Sequence, residues 1–352
     1  MPDKNSPESR KNTENPLISF CVPTYKRMEL LSAALESILS LRGLPRVAYE
    51  IIISDDEESG DLCAELPSEI TANGAVRIYK NQVHGQFSNL NNLIEKSSGE
   101  WLVFLHDDDL LKPDFLEKLM DEQLLHDGHV EAIWFARQLI DYSGRANRQV
   151  SAKSPGLTRI KGIDYVRRWL TTNDATFDGA VIPPMVTGLV VRRDLVRRIE
   201  GFPAHLATAG DGLFLIKVLS EAEEICFINA PSVLYRFYEG TQRSLLAEQG
   251  IIYREFKTYF FDAVEFVAPR IARDRDKFVK EATQTFFKIA LMINGPISWL
   301  ALHYRGTMRE RLLLALEIIS EVWKYSPLLL VRKFPLIPLM LHLLPRSANK
   351  LL

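Results

Sequence analysis

Cysteine is scarce in this chain, with 3 in 352 residues. Cys21, Cys63 and Cys226 lie far apart, and none belongs to a Cys-x-x-Cys pair or any other regular metal spacing. That suits a reducing, cytoplasmic compartment better than a disulfide framework. Net charge is also nearly absent: 43 basic residues against 45 acidic ones leave a formal charge of -2, which offers no electrostatic case for a nucleic-acid partner. A long unbroken apolar run is missing too. The most apolar stretch, SPLLLVRKFPLIPLMLHLLPRSANKLL, is interrupted by Arg332-Lys333 and by prolines, so a spanning helix of about 20 apolar residues fits poorly. The opening MPDKNSPESRKNTENP has no apolar core of the sort a signal peptide needs, and residues 1–16 read as a disordered lead-in.

What is present is a core. Hydrophobic residues make up 47% of the chain, which excludes disorder as a whole and allows one large domain or one domain with an appendage. LISFCVPTY begins with an apolar strand over Ile18 to Val22, and Pro23 should end it, because a central strand does not tolerate proline. MELLSAALESILSL repeats its apolar positions at helical spacing. YEIIISDD and WLVFLHDDD repeat the plan of an apolar strand closed by acids, separated by the helix-like FSNLNNLIEKSS. Continuous apolar strands alternating with helices predict an α/β fold, with a mainly parallel sheet covered on both faces. Ligands of such sheets bind at the carboxyl ends of the strands. Pro23-Thr24-Tyr25, Asp55-Asp56 and Asp107-Asp108-Asp109 all follow strand ends and should converge there.

Residues 141–160 are polar and read as a surface excursion. GLVVRR reads as a strand, and GFPAHLATAGDGLFLIKVLSEAEEICFI as a loop, a helix beginning near Asp211, and another strand. After about Leu245 the pattern becomes helical throughout. From Lys324 onward there are five basic residues and no acidic one, in the most apolar part of the chain. A segment lying on an anionic membrane face fits this composition, as does packing on the body of the protein or on a second subunit.

Neighbouring carboxylates repel one another unless something positive compensates, and a hard divalent cation with oxygen ligands is the simplest compensation. Without an accompanying His/Cys set, the Asp107–Asp109 triplet favours a metal-phosphate site over structural zinc. The alternative is that the triplet opens the following helix, where acids interact well with the amino end. Strand alternation keeps all three from pointing the same way. Asp55-Asp56 could accept hydrogen bonds from a base or ribose. Tyr25 offers a flat surface and Thr24 a hydroxyl to a nucleobase.

The segments ISFCVPTYKR, EIIISDDEESGD, NQVHGQFSNLNNLIEKSSGEWLVFLHDDDLLKPDFL, VTGLVVRRDLVRRIEGFPAHLATAGDGLFL and LYRFYEGTQRS, in that order over Leu17 to Ser244, resemble the family two glycosyltransferases of the GT-A fold. The resemblance implies a Rossmann-like, mixed, mainly parallel sheet in a domain over 17–245; the change of pattern beyond it marks a helical extension over 246–323 and the basic apolar tail 324–352. It implies a nucleotide-diphosphate sugar donor, Mn²⁺ or Mg²⁺, and inversion at the anomeric centre. By that resemblance Pro23, Thr24 and Tyr25 line the nucleobase, Asp55 contacts it, and Asp107 and Asp108 form the metal and sugar-nucleotide motif, with Asp108 the direct ligand. Asp109 would support the loop or a bound sugar, Asp211 would be the catalytic base, and Arg236 would meet the diphosphate.

Three positions depart from the family pattern. His106 stands where many relatives have an aspartate, Gly210 where many have a glutamate, and Tyr238 where a histidine is expected. With a membrane-held tail, the expected acceptor is a saccharide, lipid-linked, in envelope polysaccharide or glycolipid synthesis, and the protein would sit peripherally on the inner face of the membrane. An oligomer is compatible with the sequence. The competing readings are a sugar-phosphate nucleotidyltransferase, whose glycine-rich phosphate loop PTYKRMELL lacks, and a non-catalytic binding protein of an envelope assembly.

Overall fold

The computed structural model describes residues 17–150, 156–172, 176–177, 180–181, 185–237, 251–271 and 274–291. The lead-in 1–16, the tail 324–352, Tyr238 and the part of the expected helical extension beyond 291 lie outside the described residues.

The amino-terminal half alternates strands and helices as the periodicity predicts. β1 (Ile18–Thr24) is followed by α1 (Met28–Leu39), and β2 (Tyr49–Asp55) by two single-turn helices, α2 (Leu62–Glu65) and α3 (Ser68–Thr71). β3 (Val76–Lys80), α4 (Gln86–Lys96) and β4 (Trp101–Phe104) complete this unit. Next come β5 (Leu110–Leu111), α5 (Phe115–Asp121), β6 (Val130–Ile140), β7 (Ala146–Val150), β8 (Leu157–Ile160) and α6 (Gly162–Thr172). A two-stranded ribbon of β9 (Thr176–Phe177) and β10 (Ala180–Val181) stands apart from the main sheet. β11 (Val190–Arg192), α7 (Arg193–Arg198), α8 (Gly210–Glu221) and β12 (Glu224–Arg236) precede two long helices, α9 (Ile251–Val267) and α10 (Arg275–Leu291).

The main sheet runs β3-β2-β1-β4-β11-β6-β12-β5, with β7 added to β6 and β8 to β12. Its β3-β2-β1-β4 half is parallel, and so is the β6–β12 pair, whereas β11 is antiparallel to both its neighbours. The fold is therefore the expected mixed α/β sheet with a C-terminal helical region. Side chains alternate between two apolar layers, one on each face. Ile18, Phe20 and Val22 enter one layer while Cys21 enters the other; Ile51 and Ile53 oppose Ile52 in the same way, and Trp101 and Val103 oppose Leu102 and Phe104. Each such fully buried side chain contributes about 1.5–3 kcal/mol, which is why these strands are apolar along most of their length.

Two expectations need correction. Pro23 lies inside β1, which continues to Thr24. Leu105 N donates to Cys21 O and Asp56 N to Thr24 O, so odd-numbered residues of β1 face β4 and even-numbered ones face β2. The donor that Pro23 lacks would thus point past Phe104, where the β4 ladder has already ended. Residues 141–160, expected as a surface excursion, contain β7 and β8, which widen the sheet beside β6 and β12. Their polarity follows from their partial exposure: Leu157, Thr158 and Ile160 are half-buried and Arg159 is exposed.

Candidate active site at the strand ends

The carboxyl ends of β1, β2 and β4 meet. Thr24 closes β1, and its hydroxyl donates to Asp107 Oδ2 at 2.8 Å; the backbone N–H of Tyr25 reaches the same oxygen at 3.4 Å. Arg27, just beyond β1, forms ion pairs with Asp107 at 3.0 Å and Asp108 at 2.6 Å. The Pro23–Tyr25 segment and the acidic triplet therefore form one constellation. Arg27 was not singled out from the sequence; the signal was a cation directly after a strand end in a protein whose other strand ends are acidic.

The three aspartates differ. Asp107 is 1% exposed, and burial pushes its carboxyl up to about 6; the nearby Arg27 charge opposes this and the Asp108 charge adds to it. Asp109 is equally buried, and desolvation first, then the Asp108 charge, raises it as well. Its Oδ1 accepts from Arg236 N at 2.7 Å, while its Oδ2 makes no hydrogen bond. Asp108 is the most open of the three, its side chain 17% exposed. Asp109 does not open the next helix, because β5 follows it and α5 begins only at Phe115.

Ligating atoms of His106, Asp108 and Asp109 lie within 4.8 Å of one another, and His106 Nε2 is buried without a hydrogen-bond partner. Two carboxylates and an imidazole with two unpaired buried atoms among them make a donor set that fits a divalent cation. Asp107, expected as a metal ligand, is not in this group; its oxygens face Thr24, Tyr25 and Arg27.

At the end of β2, Asp55 is 5% exposed, with Lys80 at 2.6 Å from Oδ2 and Glu57 N donating to Oδ1 at 3.0 Å. Asp56 accepts from Asn81 Nδ2 at 2.7 Å and from Gly85 N, and so holds the entry to α4. A cleft of about 190 Å³ opens between the ends of β1 and β2, lined by Thr24, Arg27, Asp55, Glu57 and Leu62. It is small for a whole nucleotide sugar and suits one flat ring. Tyr25 is 51% exposed beside it, with Lys26 Nζ 5.1 Å from the ring centroid.

Asp211 occupies the first turn of α8. Phe202, in the loop leading there, stacks on Phe214 with centroids 3.7 Å apart and contacts Phe87 and Phe104 at 6.0 and 5.6 Å. Gly210 packs on Phe87 so closely that a Cβ would lie 2.4 Å from the ring. Phe87 belongs to α4, whose Asn89 donates to Ser54 O at 3.0 Å and Thr24 O at 3.4 Å. These contacts bind the start of α8 to the helix that supports the strand ends. Gly210 stands where many relatives have a glutamate, and the Phe87 ring fills the space a side chain would need. Arg236 is nearly buried, and its guanidinium donates to the carbonyls of Asp108 at 2.7 Å, Asp141 at 3.0 Å and Tyr142. It braces the acidic loop from beneath.

Known proteins resemble this chain in sequence and in fold. The profile of the family described as "Glycosyl transferase family 2" matches residues 19–198, more than half of the chain. The GalNAc(5)-diNAcBac-PP-undecaprenol beta-1,3-glucosyltransferase of Campylobacter jejuni is 26% identical over 280 residues, covering 78% of this chain and 82% of that one. An uncharacterized glycosyltransferase of Haemophilus influenzae is 23% identical over 233 residues, covering 65% and 70%. The crystal structure of Staphylococcus aureus TarS 1-349 in complex with UDP-GlcNAc superposes with a TM-score of 0.55 at 16% identity, covering 88% of this chain and 89% of that one. With the acidic strand ends of a GT-A sheet and a family match spanning them, the chain belongs to glycosyl transferase family 2.

Proposed function

We propose that this protein is an inverting glycosyltransferase that moves a sugar from a nucleotide-diphosphate donor to a saccharide acceptor, lipid-linked, in envelope polysaccharide or glycolipid synthesis. The observation that carries this reading is the contact of Thr24 and Arg27 with the acidic triplet beside a cleft of about 190 Å³ at the strand ends. The acceptor class rests on the Campylobacter jejuni relative, whose name specifies an undecaprenol-linked saccharide, and on the basic apolar tail of this chain.

In this reading the nucleobase enters the cleft between Tyr25 and Asp55, where Lys80 holds the Asp55 carboxylate in place. Thr24 and Arg27 orient Asp107, and Arg236 fixes the backbone of Asp108 and Asp109. His106, Asp108 and Asp109 would hold Mn²⁺ or Mg²⁺, which supplies positive charge to the diphosphate leaving group. Arg27 lies where it can add a further positive charge. Asp211 accepts the proton of the acceptor hydroxyl. That oxygen attacks the anomeric carbon on the face opposite the nucleotide, the bond to the diphosphate breaks, and one displacement gives inversion.

The test is a screen of UDP-, GDP- and dTDP-sugars with Mn²⁺ or Mg²⁺, read by nucleoside diphosphate release and by product anomericity. Asp108→Asn and Asp211→Asn are each expected to lower turnover by about 10²-fold or more. Undiminished turnover in both variants would sink the roles given to Asp108 and Asp211, and no release from any donor by the wild type would leave a binding role.

A further inference from the structure

Asp211 sits between two glycines, and each glycine is filled from outside by an aromatic ring. Phe87 of α4 closes on Gly210; on the other side Tyr259 of α9 lies where a Cβ on Gly212 would be 2.8 Å from its ring. A side chain at either position would collide with its ring, and either the ring or the backbone beside Asp211 would have to shift.

The register of α9 explains how its ring arrives there. Contacts along α8, α9 and the residues flanking them advance in step: Glu255 meets residues 207–209 just before α8, Tyr259 meets Gly212, Phe266 takes the Lys217 ammonium at 5.3 Å, and Arg270, just after α9, pairs with Glu221 at 2.7 Å. The two helices therefore run side by side in the same direction. This sets a carboxylate of α9 against the amino end of α8. The Glu255 side chain accepts from Thr208 N at 2.7 Å, Thr208 Oγ1 at 2.7 Å, Ala209 N at 3.0 Å and Ala207 N. Ala209, the residue preceding α8, offers no side-chain oxygen of its own, so the cap that α8 lacks locally is supplied from 46 positions along the chain. A second tie, His205 to Asp262 at 3.1 Å, holds the same loop to the same helix.

We infer that Glu255, together with Tyr259, is a positioning residue for Asp211: the helical extension sets the backbone of the proposed base through the Glu255 cap and the Tyr259–Gly212 contact. The inference rests on the reading of Asp211 as base. It assigns the extension a place in the transfer step, although Glu255 and Asp211 both lie outside the family match at 19–198.

Glu255→Ala, Glu255→Gln and Asp211→Asn test it, with the nucleotide sugar selected by the donor screen as probe. Misplacing a catalytic group by about 1 Å costs on the order of 10²-fold. Glu255→Ala is expected to lower kcat by that order, with the KM for the donor unchanged. Glu255→Gln, which keeps one acceptor oxygen, should recover part of the loss. Amide hydrogen exchange in the 204–214 segment should quicken in Glu255→Ala while α4 stays protected. Unchanged kcat in Glu255→Ala, or a rise in donor KM that accounts for the whole effect, overturns the inference. If Glu255→Ala does not fold, Gly212→Ala carries the test: the same kcat loss is expected, and wild-type kcat overturns it. Full turnover in Asp211→Asn rejects the base itself, whereas loss there with none in Glu255→Ala rejects only the positioning role.

Discussion

Asp107 and its neighbours show how one acidic word in the sequence becomes three chemical environments. Asp107 is held up at about 6 by burial, against an ordinary value of 3.8. Between those values the unfolded chain has released its proton while the folded one keeps it, so the folded state is favoured at the low end and loses that advantage as pH rises through 6. In EDTA, the Tm of the wild type relative to Asp107→Asn should fall from pH 4 to pH 7; a relative rise would show that Arg27 outweighs burial. Arg27 makes a second prediction. Its two ion pairs compensate the carboxylates, so Arg27→Ala should tighten Mn²⁺ binding by titration without nucleotide, yet lower turnover with donor. Weaker Mn²⁺ binding in that variant would contradict the compensation. The triplet itself was legible in the sequence, because acids directly after an apolar strand are a local pattern. The Arg27 bridge and the contact of Asp107 with Thr24 were not, since both depend on where Thr24 arrives from 83 positions away.

At the scale of elements, α4 does more than cover the sheet. Asn89 is 3% exposed and donates to the carbonyls that end β1 and β2, and Asn92 adds a bond to Ser54 Oγ at 2.7 Å. Asn89→Ala removes donors from buried carbonyls and should destabilise the protein by about 1–3 kcal/mol in urea unfolding. A change below a few tenths would mean water replaces the amide. The strands that carry the site were readable because each is buried on both faces and so holds a continuous apolar run, such as Ile51 to Ile53 and Trp101 to Phe104. β3 was missed because VRIYK is only partly buried, and β7 and β8 because their polar side chains resemble those of a loop. The parallel α8–α9 pairing has no local signature at all: Glu255 reads as an ordinary helix-surface acid until the fold brings it to Ala209. Burial alone would raise its carboxyl, but the N–H groups of Ala207, Thr208 and Ala209 with the Thr208 hydroxyl hold it below its ordinary 4.5. Its contribution to stability is therefore present above that value and is lost as pH falls through the lower folded one.

The whole molecule combines a near-neutral charge with a strongly uneven distribution. Among the described residues no helix is long and apolar enough to cross a membrane, and the apolar excess of the chain is concentrated after Lys324 together with five basic residues and no acid. Such a segment gains affinity from apolar burial in the interface and about 1 kcal/mol per basic residue near an anionic surface, a gain that salt screens. Removal of the residues after Lys324 should therefore abolish cosedimentation with phosphatidylglycerol vesicles while leaving turnover of a soluble acceptor analogue nearly intact. The full chain should bind phosphatidylcholine vesicles more weakly and should lose binding to anionic ones as salt rises from 0.05 to about 0.5 M. Equal vesicle binding by full and shortened chains would reject the membrane role. A fall in sedimentation mass on shortening, with vesicle binding unchanged, would instead place the tail at a contact between subunits. A lipid-linked acceptor makes the distinction consequential, because a surface-held enzyme searches for it in two dimensions and its turnover should fall on vesicles when the tail is removed.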